Sequence, residues 1–391
     1  MPAAPVTPLP CQRDQFEIPR EVAYLNCAYM GPLPRVALEA GVAGMRRKAQ
    51  PWSIASAEFF EATERLRALA ARLIGATAGD VAIVPSVSYG MGVAAANVPL
   101  RAGQRVLMLD EEFPSTIYPW REAARRAGAE AICLPRPADD DWTSALLAEM
   151  DERTAAVAVP VCHWTDGGLV DLVRVADRAR NLGAALAVDA TQSLGALPFD
   201  VTRVRPDYLV AAAYKWLLGP YTIGFLYVTP ARQGGRPLEH NWMAREGSED
   251  FSRLTVYRDG FRPGARRFDM GEVANFTLLP QAIAALELVL GWEVPRIAAT
   301  AGALADRVLE GAAGLGFTAV RPDRRAPHYL GLRRTGGIPA GLGEALQRQG
   351  VFVSTRGAAL RVTPHAYNDE ADIARFLEAL PRALDAVSTA P

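Results

Sequence analysis

Two charged residues, Asp189 and Lys215, each follow a short apolar run near the middle of the chain. The runs, Leu186 to Val188 and Tyr208 to Tyr214, are typical of strands that are buried on both faces of a parallel sheet. Open α/β sheets bind ligands at the carboxyl ends of their strands. The pattern therefore predicts that both side chains lie at one edge of the sheet and act on the same ligand.

A lysine in such a place needs a physical reason, because an ammonium group is costly to bury unless it is paired or loses its proton. A neutral lysine can form a Schiff base with an aldehyde, and an aspartate that faces a pyridine nitrogen keeps that nitrogen protonated. Lys215 and Asp189 therefore fit a pyridoxal phosphate site. Taken alone, however, the two residues favour a plain salt bridge or an exposed lysine.

The segments around the pair decide between these interpretations. VDATQSLGALPFDV contains Asp189, and YKWLLGPYTIGFLYV contains Lys215. Both resemble the fold-type I pyridoxal phosphate enzymes of the class V aminotransferase family, in the branch of cysteine desulfurases, kynureninases and isopenicillin epimerase-like proteins. The resemblance extends over nearly the whole chain. It implies that pyridoxal 5'-phosphate is bound as a Schiff base on Lys215, with Asp189 facing the pyridine nitrogen.

A turn follows the predicted strand Val81 to Val84 and leads into a predicted helix. Ser86, Val87 and Ser88 occupy the turn and the first helical positions, where free backbone N–H groups and the positive end of the helix dipole favour an anion. Simple N-capping by a serine explains the same residues. Family members carry a Gly-Thr-Thr or similar triplet here, so the resemblance implies that this triplet binds the cofactor phosphate.

Three further residues receive cofactor roles from the resemblance. Phe113 stands where the family places a ring that stacks on the pyridine, although an ordinary core phenylalanine explains it equally well. Gln192 stands where a Gln or His lies near the ring hydroxyl. Tyr214 stands where desulfurases have a phosphate-binding His, and its hydroxyl can donate in a similar way.

Substrate contacts are predicted in three separate parts of the chain. Arg361 lies just before a turn, where its planar fork suits a substrate carboxylate, and the family has a similar Arg followed by a Tyr-Asn pair. Arg356 is a weaker second candidate. The resemblance places Asn26 over the active site. His163 follows a predicted strand beside Asp189, and its role as an acid, a base or a hydrogen-bonding group stays open.

The order of the apolar runs predicts an α/β fold. We expect a large domain with a mostly parallel, doubly wound sheet of the seven-stranded type, followed by a smaller α+β C-terminal domain. The predicted division is residues 1–30 as an N-terminal arm joining the small domain, 31–265 as the cofactor-binding domain and 266–391 as the small domain. The run Gly224 to Val228 is predicted to be the edge strand.

The composition is that of a globular protein without a strongly charged or membrane-bound partner. The formal net charge of −1 leaves no electrostatic footprint for nucleic acid. Four cysteines without CxxC spacing and four histidines predict no metal site. No run is long enough to span a bilayer and the N-terminus lacks a signal-peptide core, so we expect a cytoplasmic protein. The resemblance implies a homodimer with active sites near the subunit interface.

Lys215 is the predicted catalytic residue. Once the amino group of a small-molecule amino-acid substrate displaces it, it serves as the general base or acid at Cα. Transamination, β-elimination, kynureninase-type cleavage and epimerisation all start there; we favour an aminotransferase-like enzyme, with elimination as the alternative. Cysteine desulfuration is disfavoured because no cysteine follows Cys162. A catalytically silent binding protein with the same fold is the non-enzyme alternative.

Overall fold

The computed structural model describes residues 6–388 of the 391-residue chain. The strands are Ala23–Tyr24 (β1), Val81–Val84 (β2), Arg105–Leu109 (β3), Glu130–Leu134 (β4), Thr154–Pro160 (β5), Ala185–Asp189 (β6), Tyr208–Ala212 (β7), Gly224–Val228 (β8), Phe317–Thr318 (β9), Leu330–Arg334 (β10), Val351–Phe352 (β11), Ser354–Arg356 (β12) and Ala359–Val362 (β13). The α-helices are Arg35–Lys48 (α1), Glu58–Ile74 (α2), Val87–Asn97 (α3), Pro114–Ala127 (α4), Trp142–Glu149 (α5), Leu172–Leu182 (α6), Val201–Val204 (α7), Leu278–Trp292 (α8), Val294–Ala313 (α9), Leu342–Gln347 (α10) and Glu370–Ser388 (α11).

The large sheet has seven strands in the order β2-β8-β7-β6-β5-β3-β4. Strands β7, β6, β5, β3 and β4 are parallel to their neighbours in that row, whereas β8 is antiparallel to both β7 and β2. The predicted mostly parallel α/β sheet is therefore confirmed. The prediction that Gly224 to Val228 forms the edge was wrong, because Val81 to Val84 pairs along its outer side and becomes the edge strand.

Side chains of each central strand alternate between two cores. In β3, Leu107 and Leu109 belong to the core packed by α2, α6 and α8, whereas Val106 and Met108 belong to the core packed by α3 and α4. Both faces are buried because helices cover both, which is why these strands are continuous apolar runs rather than alternating ones. The doubly wound arrangement leaves the carboxyl ends of the parallel strands as the edge where polar residues converge.

A smaller antiparallel sheet in the order β12-β13-β10-β9 packs with α9, α10 and α11 around a third core. The N-terminal strand β1 pairs in parallel with β11, and Arg13 forms a buried ion pair with Asp372 of α11. The helix α8 packs on α1 and α2 of the large core. The predicted domain limits, at residues 30 and 265, stay predictions.

Over residues 6–388, no helix combines the length and the apolarity that a membrane span requires. The same part of the chain contains no cluster of His, Cys, Asp or Glu side chains arranged to hold a metal ion.

Candidate active site

Asp189 and Lys215 line one cavity of about 220 Å³ at the carboxyl edge of the large sheet. Asp189 is the last residue of β6, and Lys215 lies in the turn that follows β7, the parallel neighbour of β6. The strand β7 ends at Ala212, two residues before the end of the predicted run. Lys215 is therefore positioned by the turn that follows the strand. The adjacency of the two strands brings the two side chains together.

Lys215 is a buried amine without an acidic partner. Only 6% of the residue is exposed, and no carboxylate of residues 6–388 forms an ion pair with its Nζ atom. The Nζ atom lies 5.4 Å from the ring centroid of Phe113 and 5.6 Å from that of Tyr214. Burial, reinforced by repulsion from Arg361 and Arg356, lowers the pKa of Lys215 to about 8 despite the attraction of Asp189. Such a lysine is a nucleophile at mildly alkaline pH.

Asp189 is held in a fixed orientation by two donors. The backbone N–H of Thr191 donates to its Oδ1 atom at 2.9 Å, and the hydroxyl of Thr116 donates to Oδ2 at 3.2 Å. Thr116 lies in the first turn of α4 and is fully buried. Thr116 was not predicted as a site residue, because its partner Asp189 lies 73 residues away in sequence.

The N-terminus of α3 forms one wall of the cavity, through Ser86, Val87 and Ser88. Ser86 caps the helix, because its hydroxyl accepts the backbone N–H of Tyr89 at 3.2 Å. Its oxygen also lies 2.9 Å from the hydroxyl oxygen of Ser88. The capping interpretation is therefore correct for Ser86. Binding of the cofactor phosphate by Ser86, Val87 and Ser88 stays a prediction, and their place at a helix N-terminus in the cavity wall suits an anion.

Aromatic side chains surround the same cavity. Phe113 and Trp164 meet edge to face with ring centroids 5.3 Å apart, and the rings of Tyr214 and Tyr221 lie 4.4 Å apart. Phe113 and Tyr214 are thus placed beside Lys215, as their predicted roles require, although those roles themselves stay predictions. Trp164 and Tyr221 received no role from the sequence.

Gln192 joins the cavity to the N-terminal loop. Its Nε2 atom donates to the carbonyl oxygen of Ala28 at 3.1 Å, and its Oε1 atom accepts the indole N–H of Trp216 at 3.0 Å. The loop approaches closely because Gly31 donates its N–H to the carbonyl oxygen of Tyr214, and a Cβ atom at Gly31 would lie 2.1 Å from the carbonyl oxygen of Lys215. Only glycine permits this approach.

Arg361 lies beside the cavity rather than in its wall. It is 1% exposed, and its guanidinium carbon lies 5.7 Å from the ring of Trp164, which does line the cavity. Its Nη1 atom donates to the carbonyl oxygen of Trp164 and to the hydroxyl of Tyr329, both at 3.1 Å. Its Nε and Nη2 atoms donate to the hydroxyl of Ser354. These contacts engage four of the five N–H groups of the guanidinium.

The predicted substrate residue Asn26 is connected to Arg361 through one hydroxyl. Ser354 donates to the Oδ1 atom of Asn26 at 2.9 Å while it accepts from Arg361. Ser354 stands directly opposite Arg361 in the β12–β13 ladder, so a predicted hairpin would have exposed this partner. Asn26 and Arg361 therefore form one hydrogen-bonded unit.

His163 lies outside the cavity wall, fully buried. Its ring stacks on Trp142 with centroids 5.3 Å apart, and its nitrogens lie within hydrogen-bond distance of the Asp110 carbonyl and the Thr165 hydroxyl. Burial lowers the pKa of His163 below its usual value. A substrate contact by His163 stays a prediction. Its stacking and hydrogen bonds are those of a residue that stabilises the loop containing Trp164.

Glu112 is a second buried carboxyl group in the cavity. One of its oxygens accepts the backbone N–H of Phe113 at 2.6 Å, and the other has no hydrogen-bond partner. Burial, followed by repulsion from Asp189, raises the pKa of Glu112 to about 8. Glu112 received no predicted role, because its burial is visible only in the folded chain.

We expect the variant Glu112→Gln to become more stable relative to the wild type as the pH rises from about 4.5 to about 8. Between the usual pKa of 4.5 and the folded value of about 8, the folded wild type holds a proton that the unfolded chain has lost, so its stability falls with pH. Glutamine does not titrate. The difference between the free energies of unfolding should change by at most about 1.4 kcal/mol per pH unit. Urea unfolding of both apoproteins at pH 5 and pH 8 measures it, and a constant difference would show that Glu112 titrates normally.

A sequence model of the class-V aminotransferase family matches residues 45–376, which is most of the chain. The chain belongs to this family. Its cofactor is pyridoxal 5'-phosphate. The recognition of this family from the segments around Asp189 and Lys215 is thereby confirmed.

Three comparisons show how far the likeness extends. Isopenicillin N epimerase of Streptomyces clavuligerus is 28% identical over 390 residues, covering 92% of this chain and 94% of that protein. The lysine-to-alanine mutant of C-DES, with glycine covalently linked to its cofactor, superimposes with a TM-score of 0.85 at 22% identity over 94% of this chain and 98% of that one. The cysteine desulfurase CsdA of Escherichia coli superimposes with a TM-score of 0.81 at 20% identity, over 96% and 98%. Both superpositions identify the fold.

The residues around the cavity fit this cofactor. Lys215 offers a buried amine with no acid to neutralise it, and Asp189 offers a fixed carboxylate in the same cavity. The unpartnered oxygen of Glu112 provides a further polar contact. The N-terminus of α3 supplies donors for a phosphate at another wall. We infer that Lys215 holds the aldehyde carbon, Asp189 faces the pyridine nitrogen and the turn Ser86–Ser88 binds the phosphate.

We expect the capture of pyridoxal phosphate by the apoprotein to accelerate with pH and to level off above about pH 8. Only the neutral amine attacks an aldehyde, and burial shifts the loss of the Lys215 proton to about pH 8 from its usual 10.5. Stopped-flow absorbance at a series of pH values measures the midpoint. A rate that still rises steeply between pH 9 and 10.5 would show an unperturbed lysine.

Proposed function

We propose that the protein is an aminotransferase-like enzyme that acts at Cα of a small amino acid, with Lys215 as its catalytic residue. One observation carries the proposal: the amine of Lys215 is buried without an acidic partner, in the same cavity as the fixed carboxylate of Asp189. A purely structural lysine in this position would be expected to pair with an acid.

Each residue of the site has a proposed role that follows from its position. When bound, the cofactor supplies an electron sink for the electron pair that remains on Cα. The Nζ atom of Lys215 takes the proton from Cα as a neutral amine and returns it as an ammonium. The hydrogen bonds from Thr116 and Thr191 fix the carboxylate of Asp189, which would face the ring nitrogen of the bound cofactor. Phe113 and Trp164 cover the cavity with apolar surface and exclude water from the proton transfer.

We also propose that the protein is not a cysteine desulfurase. Desulfuration needs a nucleophilic cysteine on the loop before Arg361, and Gly357 and Ala358 alone connect β12 to β13 there. Cys162 lines the cavity, but its thiol donates to the carbonyl oxygen of Gln192 and burial raises its pKa far above the usual value. A thiol in that state is a poor nucleophile.

Epimerisation is the second candidate. It is supported by the similarity to the epimerase of Streptomyces clavuligerus, which extends over nearly the full length of both proteins. Both reactions begin when Lys215 removes the Cα proton. They differ in where a proton is then delivered: transamination would need Lys215 to deliver it to the cofactor, whereas epimerisation would need a second proton donor on the opposite face of Cα.

The assembly and location stay proposals. We propose a homodimer, which is supported by the family resemblance and by the exposed apolar side chains Val36, Leu38 and Met45 on α1. Light scattering behind a size-exclusion column measures the mass of the particle. The cytoplasmic location stays a prediction.

The decisive experiment mixes the holoenzyme with a panel of L-amino acids in deuterium oxide. Transamination predicts release of a keto acid in an amount that an added keto-acid acceptor increases. Epimerisation predicts the D-amino acid with deuterium at Cα and no keto acid. Release of ammonia with pyruvate and no need for an acceptor would show elimination, and release of persulfide would contradict the exclusion of desulfuration.

A further inference from the structure

Two arginines of the β12–β13 hairpin lie close enough to the active site to repel Lys215, and neither has a counter-ion in the described part of the chain. Arg361 binds neutral oxygens only, those of Ser354, Trp164 and Tyr329. Arg356 donates to the carbonyl oxygen of Thr355 at 2.7 Å and makes no ion pair with any carboxylate of residues 6–388. The two guanidinium groups therefore carry two positive charges that nothing in the described part of the chain neutralises.

The hairpin register places both side chains on one face. Ser354 stands opposite Arg361 and Arg356 stands opposite Ala359, so Arg356 and Arg361 are diagonal neighbours. Residues two apart on a strand share a face, and diagonal positions of an antiparallel pair lie roughly 7–8 Å apart. Both guanidinium groups can thus reach opposite ends of one small molecule.

Both charges act on the cavity. Repulsion from Arg361 and from Arg356 contributes to the lowered pKa of Lys215. Burial and repulsion from Arg361 lower the pKa of Arg356, while Tyr329 and Tyr29 oppose that shift. No carboxylate is among these groups. Arg356 is partly buried, so water screens its charge less well than that of a surface arginine.

An acid beside the hairpin turn, Glu111, already has a partner. Glu111 reaches within 4.0 Å of the position that a Cβ atom would take on Gly357, next to Arg356. However, Glu111 is paired with Arg136 at 2.9 Å. The turn proposed for the cofactor phosphate is the N-terminus of α3, on another element of the fold. Neither Glu111 nor a phosphate at α3 therefore neutralises the charge of Arg356.

We propose that Arg356 forms a second anion subsite and that the substrate is an amino acid with an acidic side chain. This inference rests on the proposed function, in which Arg361 takes the α-carboxylate. A dicarboxylic amino acid then matches the two guanidinium groups with its two carboxylates. An amide side chain of the same shape leaves Arg356 without a charged partner.

Spectral titration of the holoenzyme with glutamate, glutamine, aspartate and asparagine tests the proposal. The wild type should bind at least one acid about 10- to 100-fold more tightly than its amide, as expected for a charge-assisted hydrogen bond. The variant Arg356→Gln should bind the acid and the amide about equally, with the amide affinity unchanged. Arg348→Gln, which removes an exposed arginine of the same domain, should retain the preference.

The possible outcomes separate the two proposals. If no amino acid changes the spectrum, the proposed function fails. If amino acids bind but the acids have no advantage over the amides, or if Arg356→Gln keeps that advantage, the acidic-substrate subsite is contradicted while the proposed function stands. Arg356→Lys should recover only part of the preference, because an ammonium lacks the planar fork.

Discussion

Replacing Lys215 with alanine should abolish turnover while leaving the fold intact. The side chain has two roles, as the amine that holds the aldehyde and as the base that moves the Cα proton. Loss of general base catalysis alone costs about 10²- to 10⁴-fold in rate. The buried amine makes no ion pair in the described structure, so its removal breaks no salt bridge. Steady-state kinetics with the best amino acid of the panel measures the loss.

The matched control is the only other lysine of the chain, Lys48. It is exposed near the end of α1, and Lys48→Ala should retain wild-type kcat/KM. Circular dichroism should be the same for both variants. A Lys215→Ala variant with more than a tenth of the wild-type rate would show that another group carries the proton.

Replacing Arg361 with alanine should lower kcat/KM by roughly 30- to 1000-fold, as expected for about 2–4 kcal/mol from a charge-assisted bidentate pair. Both N–H groups of Nη1 are engaged by Trp164 and Tyr329. The Nε and Nη2 atoms donate to Ser354, so a substrate carboxylate that binds two parallel N–H groups must displace at least one of these three oxygens. We expect the loss in both KM and kcat, because the displacement is coupled to substrate positioning.

The binding of the cofactor separates this role from a structural one. Arg361→Ala should keep the visible absorbance band of the bound cofactor, since Arg361 does not line the cavity. Arg361→Lys should recover part of the lost kcat/KM. If both variants keep wild-type kcat/KM, Arg361 is a packing residue whose donors serve Ser354, Trp164 and Tyr329.

The sequence predicted the large sheet well because its strands are buried on both faces. Arg105–Leu109 and Gly224–Val228 have the predicted limits, and each apolar run ends where a polar residue meets the sheet edge. The order of the strands was harder to predict. Gly224–Val228 was predicted to be the edge strand, but an apolar run does not reveal which strands lie on either side of it. In the structure Val81–Val84 pairs with its outer side and is the edge strand.

The candidate site was predictable where one residue carries its own signal. Lys215 and Asp189 follow apolar runs, and Ser86–Ser88 span the N-cap and the first turn of a helix, so the local pattern predicts their positions. Thr116 was missed because its partner Asp189 lies 73 residues away in sequence. Ser354 was missed because the hairpin that places it opposite Arg361 was not predicted. Glu112 was missed because its raised pKa results from burial, which only the folded chain reveals.

Reduction followed by peptide mapping determines whether Lys215 holds the cofactor. Borohydride converts a Schiff base on a lysine into a stable secondary amine. The chain contains two lysines, so the variant Lys48→Arg leaves a single possible site. We expect the reduced holoprotein to carry one pyridoxyl phosphate group, found by mass spectrometry on the peptide with Lys215. A reduced protein without that modification on Lys215 would contradict the account.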